Sequence, residues 1–182
     1  MDPPVRMPFS CTDHCNDCRS ATGAALPSWL LTPMYMGSIS LVKKSPEVPE
    51  EGKLGASALH GPWIPAPDVF EVNKAPEDTY LSFFASSPKR RRAFCSRCGT
   101  MFAYCIFPRP DWLEFGMLDI VLGTIDREFF ELDYLRPERQ MWWPLGVDWV
   151  QNFSKKGFEE LPVFPRAWVN EKVKESQPSA NA

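Results

Sequence analysis

The sequence predicts a mainly β protein built from short strands with few short helices. Nineteen prolines stand against ten glycines, and because proline breaks helices, short strands joined by fixed turns are expected. An apolar content of 44% with 13% aromatic residues is typical of a globular core rather than of a disordered chain. Two Cys-x-x-Cys pairs, about eighty residues apart, predict metal-holding turns in that framework.

The first half of the chain predicts one strand and an insertion. Residues 1–9 contain three prolines and predict no regular structure, whereas the small residues within 11–25 permit a short helix. The run Ser28–Leu31 predicts a strand that ends at Thr32-Pro33, because the residue before proline avoids helical backbone. Lys43–Asp68 is rich in proline, glycine and charge and predicts a long irregular insertion.

The second half predicts most of the sheet. Val69–Val72 and Thr79–Phe84 have strand composition, and Ala93–Phe107 predicts a hairpin with the second cysteine pair in its turn. Trp112–Leu122 is a further apolar run, and a short helix is expected around Val147–Lys155. At 182 residues, the chain is long enough for one domain with peripheral structure.

The two cysteine pairs are Cys15–Cys18 and Cys95–Cys98. This spacing places two thiolates on one tight turn, at the separation that tetrahedral zinc requires. Gly99 follows the second pair, and glycine permits the positive φ that turns backbone amides toward the sulfurs. A zinc knuckle is therefore predicted, with the fuller signature at the second pair.

Other interpretations of the cysteines are weaker. Residues 1–4 begin no apolar signal segment, so the oxidising compartment that favours disulfides is not expected. Neither pair has the βαβ context of a thioredoxin-like redox motif. Cys105 lies in an apolar run and is predicted to be a buried, inert side chain. Cys11 precedes Cys15 by four residues, so it is either a further ligand or a cysteine without a role.

Both motifs resemble those of the glutathione-dependent formaldehyde-activating enzyme family, also called the CENP-V/GFA domain. Residues 14–24 (His-Cys-Asn-Asp-Cys-Arg-Ser-Ala-Thr-Gly-Ala) are similar to the family pattern Cys-His-Cys-x-x-Cys-Arg-x-x-x-Gly, which precedes a strand often containing Trp, as at Trp29. Residues 92–100 (Arg-Ala-Phe-Cys-Ser-Arg-Cys-Gly-Thr) are similar to the downstream Arg-x-Phe-Cys-x-x-Cys-Gly-Thr. The resemblance covers about residues 11–125.

The resemblance implies an Mss4-like fold of twisted antiparallel sheets that hold zinc at two sites. Cys95 and Cys98 would belong to a structural site, and Cys15 and Cys18 to one associated with activity. The implied domain plan is an irregular N-terminus over 1–10, the zinc domain over 11–125, an aromatic and proline-rich extension over 126–170 packed on it, and a disordered tail over 171–182.

Two departures from the family pattern stand out. The family's early Cys-x-Cys strand, which would supply two further ligands to Cys95 and Cys98, has no counterpart in this sequence. Either the start lies upstream, another group completes the site, or that zinc is absent. In addition, Asp13 occupies the position of the first family cysteine. Asp13 or Cys11 would then be the third ligand beside Cys15 and Cys18, and Cys11 is preferred because zinc favours sulfur here.

Several nearby side chains are candidates for further roles. Arg19 is a candidate to bind a substrate carboxylate, or else a surface partner of an acid. His14 is a candidate general base, with a surface or hydrogen-bonding role favoured. The basic run Lys89–Arg92 is interpreted as a solvated sheet edge, although Arg92 also occupies the arginine position of the family motif. The aromatic residues of 142–144 and Trp149 can line a pocket, but completion of a core is favoured.

The predicted function is a zinc-dependent carbon–sulfur lyase-type enzyme that makes or breaks thiol–aldehyde adducts, with glutathione as the implied thiol. The alternative is a zinc-stabilised binding module without catalysis; a chromatin role has only the basic run in its favour. A net charge of −3 gives no general attraction to nucleic acid or to anionic membranes. No stretch is long and apolar enough to span a membrane, and a cytoplasmic protein is expected; the oligomeric state cannot be read from the sequence.

Overall fold

The computed structural model describes residues 7–44, 60–72 and 75–156. Part of the predicted insertion, 45–59, and the predicted tail, 171–182, lie outside the described residues. The chain divides into two compact units, Met1–Gly146 and Val147–Ala182.

The first unit contains all nine described strands and three of the described α-helices. The strands are β1 (Phe9–Asp13), β2 (Ser28–Pro33), β3 (Ser38–Val42), β4 (His60–Pro65), β5 (Leu81–Ser87), β6 (Arg90–Cys95), β7 (Met101–Ile106), β8 (Met117–Val121) and β9 (Arg139–Met141). The helices are α1 (Asn16–Thr22), α2 (Ala66–Phe70) and α3 (Arg127–Phe130). Single 3₁₀ turns occur at Met34–Met36, Leu122–Thr124, Asp133–Leu135 and Trp143–Leu145. The second unit contains α4 (Asp148–Lys156).

Seven strands form one mixed sheet in the order β5-β6-β7-β8-β2-β1-β9, and β3 pairs with β4 in a small second sheet. Among the described strand pairs, only β1 with β9 is parallel. The predicted mainly β class with few short helices is therefore confirmed. Strand β9 belongs to the predicted extension over 126–170, yet it completes the sheet beside β1.

Most predicted elements are confirmed, with local exceptions. The strand at Ser28–Leu31 is β2, the hairpin around the second cysteine pair is β6 with β7, and the helix near Val147 is α4. The prediction of a strand at Val69–Val72 is wrong: α2 ends at Phe70. Proline at the start of α2 supplies the fixed φ that favours the first helical turn.

The predicted irregular segments also contain regular structure where they are described. The prediction for Lys43–Asp68 is wrong over His60–Pro65, which forms β4 against β3. Strand β1 begins at Phe9, inside the segment predicted to be irregular. Both errors come from proline-rich windows. Pro8 lies just before β1, whereas Pro62 lies inside β4, where a two-stranded sheet leaves each strand with an unpaired edge and the register shifts between Ser40 and Val42.

Side chains on the large sheet alternate between two faces. One face carries Leu81, Ala93, Ala103, Cys105 and Leu118, which are buried in the main hydrophobic core. Met34 and the helix residues Val69 and Phe70 complete this core from outside the sheet. Cys105 is 2% exposed, so its predicted burial is confirmed.

The opposite face carries a row of polar side chains across neighbouring strands. Arg92 pairs with Tyr104, Tyr104 with Asp119, and Asp119 with Leu31. Because paired residues in an antiparallel ladder share a face, the three polar side chains lie side by side, and the apolar side chain of Leu31 follows them. This second face positions the candidate site.

The basic run at the start of β6 does not form a sheet edge, so that prediction is wrong. Strand β6 lies between β5 and β7, and its arginines alternate between the faces. Arg91 is buried on the core face, where its guanidinium stacks on Phe83 and Phe107 and donates to the carbonyl of Phe70 at 3.3 Å. Arg92 is 2% exposed and lies on the opposite face.

Candidate metal centre

The first cysteine turn lies at the start of α1. Cys15 is the residue before the helix, with extended backbone (φ −65°, ψ 127°), and Cys18 is the third helical residue. The Sγ atoms at these two positions lie within 4.8 Å of one another. The helix ends at Gly23, whose φ of +69° gives the left-handed terminus that glycine favours. The Cys-x-x-Cys spacing thus places both thiols on one side of the turn.

Asp13, the last residue of β1, has its carboxylate close to the two thiols. Its backbone N–H donates to the carbonyl of Pro27 at 2.8 Å, and its Oδ1 accepts the N–H of Cys15 at 2.7 Å. Ligand atoms of Asp13, Cys15 and Cys18 all lie within 4.8 Å of one another. A carboxylate and two thiols at this separation can hold a metal ion.

Cys11, the third ligand preferred from the sequence, is not a member of this group. It lies on β1 opposite Trp29 and is fully buried with Phe9 and Trp29. Burial raises the pKa of the Cys11 thiol to about 12, and the negative charge of Asp13 contributes. Cys11 therefore packs as a small apolar side chain, and the structure places Asp13 in the position that the sequence left open.

Arg92 contacts the candidate metal-binding group, which consists of Asp13, Cys15 and Cys18, from the sheet. Its Nη2 donates to Cys18 Sγ at 3.6 Å, and its guanidinium carbon lies 5.2 Å from the ring centroid of Tyr104. The buried Nε and Nη1 have no hydrogen-bond partner. Burial raises the pKa of the Cys18 thiol, whereas the hydrogen bond from Arg92 lowers it. A buried cation thus lies beside the thiol, where it favours the thiolate that metal binding requires.

Asp119 is the acidic residue of the polar row, beside Tyr104 and Leu31 in the sheet. Burial and, to a smaller extent, the negative charge of Asp13 raise the pKa of its carboxyl, and the charge of Arg92 lowers it; the net result is a pKa of about 7. The sequence analysis did not single out Asp119. Its only signal was an acidic residue between apolar neighbours, Leu118 and Ile120, which an alternating strand places on the polar face.

A cleft of about 450 Å³ opens in front of this face. It is lined by the metal-binding group together with Arg92, Tyr104 and Asp119. Its apolar lining includes Leu31, Ile106, Trp112, Met117 and Trp142. Trp142 was expected to complete a core, but it is 60% exposed and lines the cleft, so that interpretation is wrong.

The second cysteine turn joins β6 to β7. Gly99 has φ +78°, which confirms the predicted conformation, and its N–H donates to the carbonyl of Cys95 at 2.8 Å. Cys98 is exposed, and a hydrogen bond of 3.2 Å between its Sγ and the Thr100 hydroxyl lowers its pKa. Within 7–44, 60–72 and 75–156, no third histidine, cysteine or carboxylate joins Cys95 and Cys98.

Two other candidates lie outside the cleft lining. Arg19 follows the first turn along α1 and donates from Nη2 to Asn16 Oδ1 at 3.5 Å. His14 is 5% exposed, its Nε2 is 3.0 Å from Gln140 Oε1, and its ring packs edge-on against Trp143. The favoured surface position is therefore wrong for His14; its hydrogen-bonding role fits the contact with β9.

The fold and the site together define a mainly β protein with an Asp-Cys-Cys group that can hold a metal ion beside a cleft. No protein-family model, curated protein or solved structure matches the chain, so the resemblance to the formaldehyde-activating family stays a prediction. In the described part of the chain, no helix combines the length and the apolar character needed to cross a membrane.

Proposed function

We propose that this protein is a zinc-dependent enzyme that makes or breaks adducts between thiols and aldehydes. The observation that carries the proposal is the meeting of Asp13, Cys15 and Cys18 within 4.8 Å at the lining of a cleft. Zinc accepts both sulfur and carboxylate ligands, and catalytic zinc sites combine three protein ligands with one open position. The donor set therefore fits a catalytic rather than a closed structural zinc site.

The resemblance to the formaldehyde-activating family supports the same chemistry. When bound, zinc supplies Lewis-acid polarisation of a carbonyl and favours the ionised form of a thiol. In the addition, the sulfur of the thiol bonds to the carbonyl carbon, the carbonyl π electrons move onto oxygen, and the thiol proton ends on that oxygen. The reverse sequence cleaves the carbon–sulfur bond.

The chain's own residues divide this work. Asp13, Cys15 and Cys18 hold the ion, and Arg92 orients the sulfur of Cys18 through its 3.6 Å contact. Asp119 accepts the thiol proton on its carboxylate and donates it to the former carbonyl oxygen, which becomes the hydroxyl of the adduct. A carboxyl whose pKa is raised to about 7 is suited to that exchange, since a general acid–base works best near the ambient pH.

The test combines metal analysis with turnover. Purified protein should contain at least one zinc ion per chain, and the zinc-loaded form should accelerate adduct formation or cleavage in mixtures of thiols and aldehydes followed by NMR. Chelator-treated protein is the control and should be inactive until zinc is restored. Tight zinc binding without turnover of any mixture would favour the non-catalytic binding module, and a folded protein that binds no metal would contradict both functions.

A further inference from the structure

We propose that the cleft selects a thiol or aldehyde that carries an aromatic group, in preference to formaldehyde or to a charged peptide thiol. This inference rests on the proposed function, because it names the class of molecule that would react at that site. Three properties of the cleft carry it: its volume, its apolar lining and the charges of its lining.

The volume exceeds what a one-carbon aldehyde needs. The cleft measures about 450 Å³, within the roughly 300–1,000 Å³ of sites that bind organic molecules of ordinary ligand size. Formaldehyde has two heavy atoms, and a water molecule accounts for only about 30 Å³ of liquid volume. A formaldehyde unit at the metal-binding group would therefore leave most of the cleft to solvent.

The apolar lining comes from the sheet and from two exposed tryptophans. Leu31, Ile106 and Met117 contribute aliphatic surface. Trp112 is 77% exposed and Trp142 is 60% exposed, so both rings keep large apolar surfaces available to a bound molecule. Aromatic side chains favour aromatic partners in stacked or edge-on contact. A ring attached to the reacting carbon or sulfur is thus the group that this lining would contact best.

The charges of the lining give little support to an anionic peptide thiol. Three aspartates line the cleft (Asp13, Asp17 and Asp119), against the arginines Arg90 and Arg92. Arg92 is 2% exposed and already donates to Cys18, which leaves Arg90 as the exposed cation. Asp13 is also buried, at 3% exposed, which leaves the exposed Asp17 and the half-buried Asp119 as the accessible acids. A tripeptide with two carboxylates would therefore find one accessible arginine beside two aspartates.

The test measures binding rather than turnover. Zinc-loaded protein is titrated by calorimetry with benzyl mercaptan, 2-mercaptoethanol and glutathione. We expect benzyl mercaptan to bind at least about 10-fold more tightly than either of the other thiols. Trp112→Ala and Trp142→Ala should each reduce that preference by about threefold or more.

The matched control is Trp63→Ala. Trp63 is 74% exposed on β4 and does not line the cleft, so its removal should leave the preference unchanged. Circular dichroism of each variant checks that the fold is retained. Equal affinities for the three thiols, tighter binding of glutathione, or an unchanged preference in both cleft variants would overturn the inference.

The same design separates this inference from the proposed function. Tryptophan-dependent binding of benzyl mercaptan without adduct turnover would contradict the enzyme and leave the aromatic cleft standing. Turnover of formaldehyde and glutathione without any aromatic preference would support the enzyme and contradict the aromatic cleft. If the protein binds no zinc, benzyl alcohol and ethanol are titrated against the metal-free form, and the tryptophan dependence of benzyl alcohol binding decides the inference alone.

Discussion

The two cysteine turns have the same spacing but different surroundings. Cys15 and Cys18 lie where β1 leads into α1, beside a buried carboxylate and a buried arginine. Cys95 and Cys98 lie in a hairpin turn, and Cys98 is exposed. Among the described residues, only the first turn gathers a third side chain that could serve as a metal ligand.

The comparison shows that the Cys-x-x-Cys spacing brings two thiols together but does not supply a third potential ligand or a neighbouring charge. The third donor, Asp13, comes from the end of β1, and the contact to Cys18 comes from Arg92, far away in the sequence. A local motif thus becomes a candidate reactive centre only where the tertiary fold adds charge and a cleft. The following predictions test that difference.

The largest effect is expected from removing a thiol of the first turn. Cys15→Ser should lower zinc affinity by on the order of 100-fold or more, because loss of an outer partner alone costs 10–100-fold, and it should abolish turnover. Cys98→Ser is the matched change in the second turn and should retain the cleft metal and turnover. Metal content after dialysis against a graded chelator measures both. Equal loss of cleft metal in the two variants would contradict the distinction.

The next effect concerns the third ligand. Asp13→Ala removes a donor atom of the group and should weaken zinc binding by roughly 10–100-fold. Cys11→Ala, two positions away on the same strand, should leave zinc affinity unchanged and lower stability through the small cavity that it creates. Competition with a chromophoric chelator gives the affinities, and urea unfolding gives the stabilities. Unchanged zinc affinity in Asp13→Ala together with weakened affinity in Cys11→Ala would identify Cys11 as the third ligand.

A smaller effect is expected from the arginines that accompany the two turns. Arg92→Gln removes the donor to Cys18 and should reduce zinc affinity by about 10-fold. Arg97 lies within the second turn and its guanidinium is 5.3 Å from the Tyr80 ring centroid, so Arg97→Gln is the matched control. Cobalt substitution adds a spectroscopic readout, because the thiolate-to-metal absorption should shift in the Arg92 variant. An unchanged cobalt spectrum would argue against contact between Arg92 and the ligand sulfur.

The smallest effect is a pH dependence of stability in the metal-free protein. Burial raises the pKa of Asp119 from 3.8 to about 7, so the folded state binds an extra proton between these values. The free energy of unfolding therefore falls as pH rises from about 4 to about 7. Asp119→Asn removes the ionisation and should reduce the loss of stability between pH 5 and pH 6 by about 1 kcal/mol.

Urea unfolding of reduced, metal-free protein at the two pH values measures this effect. Asp111→Asn changes an exposed carboxyl and serves as the control. A fall in stability that is the same in wild type and in the Asp119 variant would show that another group carries the pH dependence.

The sequence predicted the fold class and both thiol pairs because these depend on local signals. Proline spacing indicated short strands, and Gly99 marked the positive φ of the second turn. From the sequence, Cys11 was preferred to Asp13 as the third ligand because zinc favours sulfur. Strand pairing buries Cys11 opposite Trp29, whereas Asp13 at the end of β1 lies with the two thiols; that difference depends on the tertiary fold.

The remaining site residues depend on strand register. Arg92, Tyr104 and Asp119 are neighbours only because β6, β7 and β8 pair in one alignment. In the sequence, Arg92 was part of a basic run and Asp119 was one acid in an apolar segment. A shift of one residue would move each side chain to the other face, and composition alone does not fix that shift. For Trp142 the pocket and the core were both considered and the core was favoured, because the position of this side chain depends on β9, which sequence composition did not predict.

Strand β9 pairs in parallel with β1, although the two strands are far apart in the sequence. The candidate metal ligands and the cleft tryptophans therefore come from different parts of the chain. Residues 13–18 carry the metal-binding group, whereas Trp142 follows β9 and Trp112 precedes β8. Directed evolution can therefore randomise positions 112 and 142 while every ligand codon is left untouched. Such a library would change which molecules the cleft prefers while the residues proposed to hold the metal stay the same. Substitutions at the same two positions after gene duplication would have the same effect.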